Sequence, residues 1–487
     1  MNKQKKNRLQ YLQQPSDLNV KNKFSANDPP CGRLRDISCR FVSYHNRFSS
    51  FFKTKTRSVS QQASQYLKGL TQARKKNMER MAEKIPESND QALQHFISCS
   101  PWDERPVVDQ IAQDANTLFE NHHDTGLYID ETGYVKKGIK SVGVSRQWIG
   151  QLGKIDNSQC GVFTALGCRN RVTPVDFRLY LPKVWTDDKE RCLAAGIPEE
   201  KIVFKRKHDL ALEMVAHARS LGTHFNWVGC DGLYGEDPDF LRSLDDMGEV
   251  FLADVHKDQR IYPINPDPVV PSPQNKRGRK PSLLKAQTAA VRVDKWVAEQ
   301  AKDDWQRLAL RKSTKGKLIV DVLHKLVWLW DGKENKPHLW HLIVRRELKS
   351  PKKLKYSLSN ATLDTSTDRL AYMQAQRFWI ERSFQDAKNQ CGMSDYQVRS
   401  WRSWHHHMAM VLLVMLFFLE ERLLHKEDCQ LLSCGDIIVL LCHYLPRRDI
   451  SEEEIFRQMQ VRHEKRQSSI DWSYKKQHAE DLLQAAG

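Results

Sequence analysis

Apolar positions along this chain change period several times, and each change predicts an element. Over residues 60–70, 76–85 and 92–97 they recur at three- and four-residue steps with Lys, Arg and Gln between them, which predicts amphipathic helices. After Asp124-Thr125-Gly126 the pattern becomes that of strands. Leu127-Tyr128-Ile129 runs into Asp130-Glu131-Thr132-Gly133 and predicts a strand ending in carboxylates and a turn. A second strand is predicted over 161–166, and a third alternates over 175–181. A helix over about 207–221, with Leu210, Met214, Ala218 and Leu221 on one side, feeds a fourth strand over 225–230 that ends at Asp231-Gly232.

Three consecutive strands, a helix and a further strand, with acids closing the first and fourth, describe the core of a ribonuclease H-like fold. The predicted class is α/β in a multidomain α+β arrangement. Residues 251–359 interrupt that core. A Pro-rich basic loop over 264–281 and a helix over 297–310 precede strands at 318–323, 326–330, 339–344 and 354–358, so this segment reads as a β-rich insertion. The chain then divides into a flexible basic extension (1–40), a helical DNA-binding region (41–121), a core in two pieces (122–250 and 360–425), the insertion between them, and a helical C-terminal region (426–487).

One long helix is predicted over 365–391, opened by Thr365 with Asp368 three residues on and closed by Gly392. At about 100° per residue, Met373, Ile380, Phe384, Ala387 and Cys391 form its buried stripe. Beside them Arg377, Glu381 and Lys388 stack at four- and seven-residue steps, so one carboxylate lies between two cations. Alone, such a trio reads more readily as a surface ion pair.

Charge narrows the partners. The chain has 487 residues, with 77 Lys and Arg against 60 Asp and Glu and a net charge of +17. The basic residues are spread along its whole length, as in a protein that wraps nucleic acid, and are not gathered on one amphipathic helix as at a membrane surface. Its 11 cysteines are scattered without a C-x-x-C pair, so neither a zinc module nor a disulfide framework is suggested, and a reducing, cytoplasmic setting close to the nucleoid is expected. The longest apolar run, 408–419, is too short to span a bilayer, and no signal peptide opens the chain.

Asp130, Asp231 and Glu381 then stand out together. Adjacent first and fourth strands bring their acids close, and a helix across them delivers the third. Hard oxygen donors of this kind suit Mg²⁺, with Mn²⁺ as a substitute, and two such ions serve in-line phosphoryl displacement.

At this point the chain resembles the DDE transposases of bacterial insertion sequences, in the cut-and-paste branch with the signature Y-x2-R-x3-E-x6-K. Arg377, Glu381 and Lys388 match its R, E and K at the right spacing, while Gln374 holds the Tyr position. That departure bears on the phosphate contact of the Tyr and not on the metal site. Segments 128–138, 141–157, 174–182 and 400–408 are also similar to the family. The resemblance implies a catalytic triad of Asp130, Asp231 and Glu381 holding the metal, with Arg377 and Lys388 on DNA phosphates. It further implies that the insertion contacts the transposon end, with Trp328, Trp330 or Trp340 stacking on a flipped base. The implied reaction is hydrolysis at the element's end followed by attack of the freed 3′-OH on target DNA. The implied partners are terminal inverted-repeat DNA, target DNA and a second copy of the chain in a homodimer, with no membrane. A ribonuclease H-fold nuclease without strand transfer, or a transposase-derived DNA-binding protein, remains an alternative.

Lesser signals complete the reading. Lys136 and Lys137, just past Asp130, reach either DNA near the cut or solvent. Arg277-Gly278-Arg279 is similar to an AT-hook, broken by Lys280, and reads more readily as a solvated basic loop. His405-His406-His407 point about 100° apart on a helix and cannot share one ion, so they face DNA or pack.

Overall fold

The computed structural model describes residues 29–119, 122–150, 152–272, 281–313, 316–348 and 350–478. Among them, ten strands form one mixed sheet: β1 (Thr125–Val135), β2 (Ser145–Ile149), β3 (Lys154–Cys168), β4 (Arg171–Leu179), β5 (Val228–Cys230), β6 (Phe251–Val255), β7 (Trp305–Ser313), β8 (Gly316–Leu329), β9 (His338–Glu347) and β10 (Ser350–Ser359). Their order across the sheet is β2-β3-β1-β5-β6-β10-β9-β8-β7, and β4 lies along β3 beyond β2. β1, β5 and β6 run parallel, and the remaining pairings are antiparallel.

Helices lie at both ends of the chain. The first group is α1 (Pro29–Arg35), α2 (Ile37–Phe48), α3 (Ser60–Gln72), α4 (Met78–Ala82), α5 (Asp90–Ser98) and α6 (Glu104–Leu118). Between β4 and β6 come α7 (Lys207–Ser220), α8 (Gly232–Gly235) and α9 (Pro238–Asp246). After β10 follow α10 (Thr367–Gln376), α11 (Phe378–Cys391), α12 (Trp401–Leu424), α13 (Cys434–Tyr444) and α14 (Glu452–Gln477). α12 is apolar all round because it is the hub of the packing: α3, α5, α6, α11 and β4 all contact it. The N-terminal helices therefore share one core with the sheet-bearing part. Among the described residues no helix is long and apolar enough to cross a membrane.

The three histidines of α12 go to three different neighbours. His406 Nδ1 lies 2.9 Å from the Ile97 carbonyl, His407 Nε2 lies 3.1 Å from the Gly392 carbonyl, and His405 Nδ1 lies 2.9 Å from the Trp401 carbonyl. Burial pushes His405 and His407 down to about 3, so all this is neutral packing inside the fold and not a DNA-facing surface.

Several expected elements change. The helix predicted over 365–391 is two helices meeting at Arg377, where the ladder tightens to a bond from Ile380 N to Arg377 O at 3.2 Å. Its cap is Ser366, whose hydroxyl accepts from Arg369 N, in place of Thr365. Gly392 closes it in the left-handed region at φ 69°, as expected. The helix predicted over 297–310 stops at Ala298, because residues from Trp305 onward alternate and pair with β8, Arg307 donating to Asp321 across the strands at 2.9 Å. The two strands predicted over 318–330 are one strand, since β9 continues its ladder past His324 and Lys325 without a turn. β10 pairs with β6, so the strands of the predicted insertion prolong the central sheet. The helix Ile37–Phe48 runs through the boundary expected at residue 40. The AT-hook-like stretch 277–280 lies outside the described residues, as do residues 1–28.

Candidate active site

Strand register builds the site. Tyr128 of β1 lies beside Gly229 of β5, and Gly229 beside Leu252 of β6. Two residues further along each chain stand Asp130, Asp231 and Asp254, so the parallel register sets three acids in one row on one face. Asp130 is not at a strand end, as its sequence suggested, but inside β1. The ladder to β3 carries on to Val135 opposite Ser158, and Gly133 takes an ordinary place in it opposite Cys160. Asp231 follows β5 and caps α8, its carboxylate accepting from Leu233 N at 3.0 Å.

α10 and α11 cross this row and bring Arg377 into it. Its guanidinium donates to Asp254 Oδ2 at 3.0 Å and to Glu381 Oε1 at 2.7 Å, and lies 3.6 Å from Asp130 Oδ2. Arg377 and Asp130 are each 13% exposed, whereas Glu381 is 51% exposed at the rim. Burial works against the Arg377 charge, yet Asp254, Asp130, Glu381 and Asp231 together outweigh it and raise its pKa. Lys388, two turns beyond Glu381, donates to Thr132 Oγ1 at 2.6 Å on the same face as Asp130, and burial pushes its ammonium down to about 8.

The two strand acids resist ionising. Burial, followed by the charge of Asp231, raises Asp130 well above the usual carboxylate range, with Arg377 opposing. Burial and the nearby Glu131 carboxylate push Asp231 up to about 6, against Arg377 and the Leu233 N–H. A divalent cation relieves such crowding, and the donors are the hard oxygens that Mg²⁺ or Mn²⁺ takes, so the residues fit the ion. Among the described residues only His122, His123 and Asp124 bring three possible metal-ligating side chains within 4.8 Å of one another. Asp130, Asp231 and Glu381 thus stand further apart than a closed ligand set, with Arg377 between them. The His122–Asp124 group is a poor cation site, because Arg369 at 2.7 Å and Arg169 at 3.3 Å already neutralise Asp124.

The tryptophans separate. Trp328 shares the acids' face of the sheet by alternation through Ile343, Ser357 and Asp254, and is half-buried. Trp340 projects to the opposite face, 7% exposed and edge-on to Phe251 at 5.0 Å. Trp330 follows β8, donates through Nε1 to the Glu334 carbonyl at 2.8 Å, and with Trp340 lines a cavity of about 360 Å³ on that far side. Lys136 lies 3.4 Å from the centroid of the Tyr396 ring, and burial lowers it to about 8; Lys137 is exposed.

Sequence reasoning missed Asp254, Ser357 and Glu131. Ser357 Oγ donates to Asp254 Oδ1 at 2.6 Å, and Gln374 Nε2 donates to Ser357 Oγ at 2.8 Å. Gln374, at the expected Tyr position, is thus buried beneath Arg377 and does not face outward. The available signal was a single acid inside the apolar run Phe251-Leu252-Ala253-Asp254-Val255. Glu131, on the other face of β1, pairs with Lys207 at 3.1 Å.

Comparison with known proteins sets this geometry in context. Residues 47–317, more than half of the chain, match the family described as DDE superfamily endonuclease; that span includes Asp130, Asp231 and Asp254 and ends before Glu381. The chain is 25% identical over 338 residues to a protein of Microchaete diplosiphon named "Probable transposase for insertion sequence element IS701", covering 68% of this chain and 74% of that one. Among solved structures, the NurA nuclease from Sulfolobus solfataricus aligns over 58% of this chain and 86% of its own at 10% identity, with a TM-score of 0.24, too low to bear on the fold.

Proposed function

Since this chain belongs to the DDE superfamily of endonucleases, we propose that it is a DNA transposase that cuts at the ends of an insertion sequence and joins the freed 3′-OH to target DNA. The observation that carries this reading is the row of Asp130 and Asp231 on adjacent parallel strands, with Glu381 held over the same face by Arg377. A ribonuclease H-like core is supported by the strand order β4-β3-β1-β5-β6, antiparallel on one side of β1 and parallel on the other.

In this reading Asp130, Asp231 and Glu381 hold Mg²⁺, which supplies Lewis-acid activation of water and of the scissile phosphate when bound. Arg377 keeps Glu381 at the rim and offsets the charge of the acids. Lys388 sets a cation beside Asp130, where a DNA phosphate approaches. Lys136 and Lys137 extend that basic edge along β1. Of the three tryptophans, Trp328 is the one we assign to a base, a choice supported by its sharing the acids' face. The partners are the element's inverted-repeat DNA, target DNA and a second copy of the chain.

A joining assay separates this reading from that of a nuclease. Incubated with Mg²⁺, a pre-cut duplex ending in the terminal repeat that flanks its gene, and a supercoiled plasmid, the protein yields plasmid carrying the labelled end. Cleavage of uncut ends without any joined product would assign hydrolysis alone.

A further inference from the structure

β2 and β3 form a hairpin whose outer half leaves large apolar side chains exposed on one face among the described residues. Trp148 and Ile155 lie directly across from each other in the ladder, 63% and 56% exposed, and Arg146 lies two pairs further in on the same face, opposite Asn157. Their face is that of Asp130, because Asn157 and Ile155 alternate in step with Phe163, the partner of Asp130. Nearer the site this face is covered by α11 and by Tyr396, with Lys136 on the Tyr396 ring; past Lys136, among the described residues, Trp148 and Ile155 stand exposed. Ile155 lies eight residues along β3 from Phe163. That spacing corresponds to roughly 26 Å at a strand rise of about 3.3 Å.

A paired aromatic and aliphatic residue on an outer strand is an aggregation hazard unless something covers it. Charge identifies what. Residues 136–157 carry five Lys or Arg against the single acid Asp156; Asp156 pairs with Lys154 at 2.9 Å on the other face by alternation, which leaves Lys136, Lys137, Lys140 and Arg146 without a carboxylate in this segment to offset them. A second copy of so basic a surface is repelled, whereas a polyanion is drawn to it.

Resting on the transposase reading, we infer that the β2–β3 hairpin is a DNA-binding blade on which Trp148 and Ile155 contact bases or sugars while Arg146 and the neighbouring lysines contact phosphates. At about 3.4 Å per base pair, it meets the duplex roughly seven to eight base pairs from the bond at Asp130. The mode is an apolar wedge with a basic surround, which tolerates many sequences and favours easily unstacked steps.

The test is a hydroxyl-radical footprint and binding titration of the full-length protein, wild type and Trp148→Ala, on a duplex carrying the terminal repeat that flanks its gene. Trp148→Ala is expected to weaken binding about five- to tenfold and to open protection only in the window seven to eight base pairs from the cut, as loss of one stacking contact does. Arg146→Gln is expected to flatten the salt dependence of binding by about one phosphate contact. Both residues are exposed, so thermal midpoint and elution volume stay at wild-type values. Unchanged affinity and footprint in Trp148→Ala would overturn the blade while leaving the transposase reading intact. A wild type that does not bind the repeat would overturn that reading and the blade with it. A Trp148→Ala protein that elutes at half the wild-type mass with an unaltered footprint would show that a second copy covers the hairpin, and would also overturn the proposal.

Discussion

Arg377 donates to Asp254 Oδ2 at 3.0 Å and thereby faces inward, while its other edge holds Glu381 at 2.7 Å. Asp254 is itself fixed by Ser357, and Ser357 by Gln374. The chain of hydrogen bonds runs from a buried amide to the carboxylate at the rim. Asp254→Asn keeps the volume but removes one charge from Arg377, and is expected to lower the cleavage rate at least about tenfold while leaving affinity for the terminal repeat within about twofold. Arg377→Lys is expected to lose more, because an ammonium cannot reach three carboxylates as a planar fork does. Single-turnover rates beside binding titrations measure both effects, and equal losses in rate and affinity would contradict this positioning role.

Removing a crowded charge should steady the metal-free protein. Asp130 is raised by burial and by Asp231, so the folded state disfavours the ionised pair at neutral pH. Asp130→Asn is therefore expected to raise the metal-free Tm by about 1–3 °C while abolishing the further rise that Mg²⁺ gives the wild type. For Asp231, raised to about 6, the folded state binds the proton more tightly than the unfolded chain does. Its contribution to stability is present below the unfolded carboxylate pKa of about 4 and is lost as pH rises through about 6. Calorimetry of the metal-free protein from about pH 4 to about pH 7 reads this directly, as a fall in stability that levels off above about pH 6.

Lys388 gives the opposite pH signature in function. Burial sets its pKa near 8, so its charge is present at pH 7 and largely gone at pH 9. Affinity for the terminal repeat is expected to fall at least about threefold over that interval in the wild type, and less in Lys388→Arg, whose charge persists. Stability runs the other way: the unfolded Lys holds its proton to about 10.4, so the fold gains as pH rises between these values. Parallel pH profiles for the two proteins would remove Lys388 from the DNA interface.

Gly235 locks the turn that carries Asp231. A Cβ there would lie 2.0 Å from the Asp254 carbonyl oxygen, a backbone atom that cannot swing aside. Gly235→Ala is expected to destabilise the protein by about 2–4 kcal/mol and to impair cleavage through both Asp231 and Asp254. A denaturant titration checks the first effect.

Much of the framework was legible in the chain, and the limits have physical reasons. The strands around Asp130 and Asp231 and the stripe Met373, Ile380, Phe384, Ala387 and Cys391 follow from period and burial, and all five stripe residues are buried. The span of β1 was not legible, because Asp-Glu-Thr-Gly has the composition of a turn and only the long partner β3 keeps it extended. β7 was misread as helix because Trp305, Leu308 and Leu310 fit either period at that length. Asp254 was passed over for a different reason: its role depends on a parallel register and on Ser357 and Arg377, all remote in sequence.

If Asp130, Asp231 and Glu381 form one cleavage centre, as proposed, the decisive measurement is Mg²⁺-dependent nicking of an end-labelled terminal-repeat duplex by Glu381→Gln, with binding measured on the same DNA. Glu381 is half-exposed at the rim, so the substitution leaves the fold in place. The expected result is a loss of cleavage of at least about a thousandfold with affinity unchanged within about twofold. Cleavage by Glu381→Gln at a rate near wild type would contradict it.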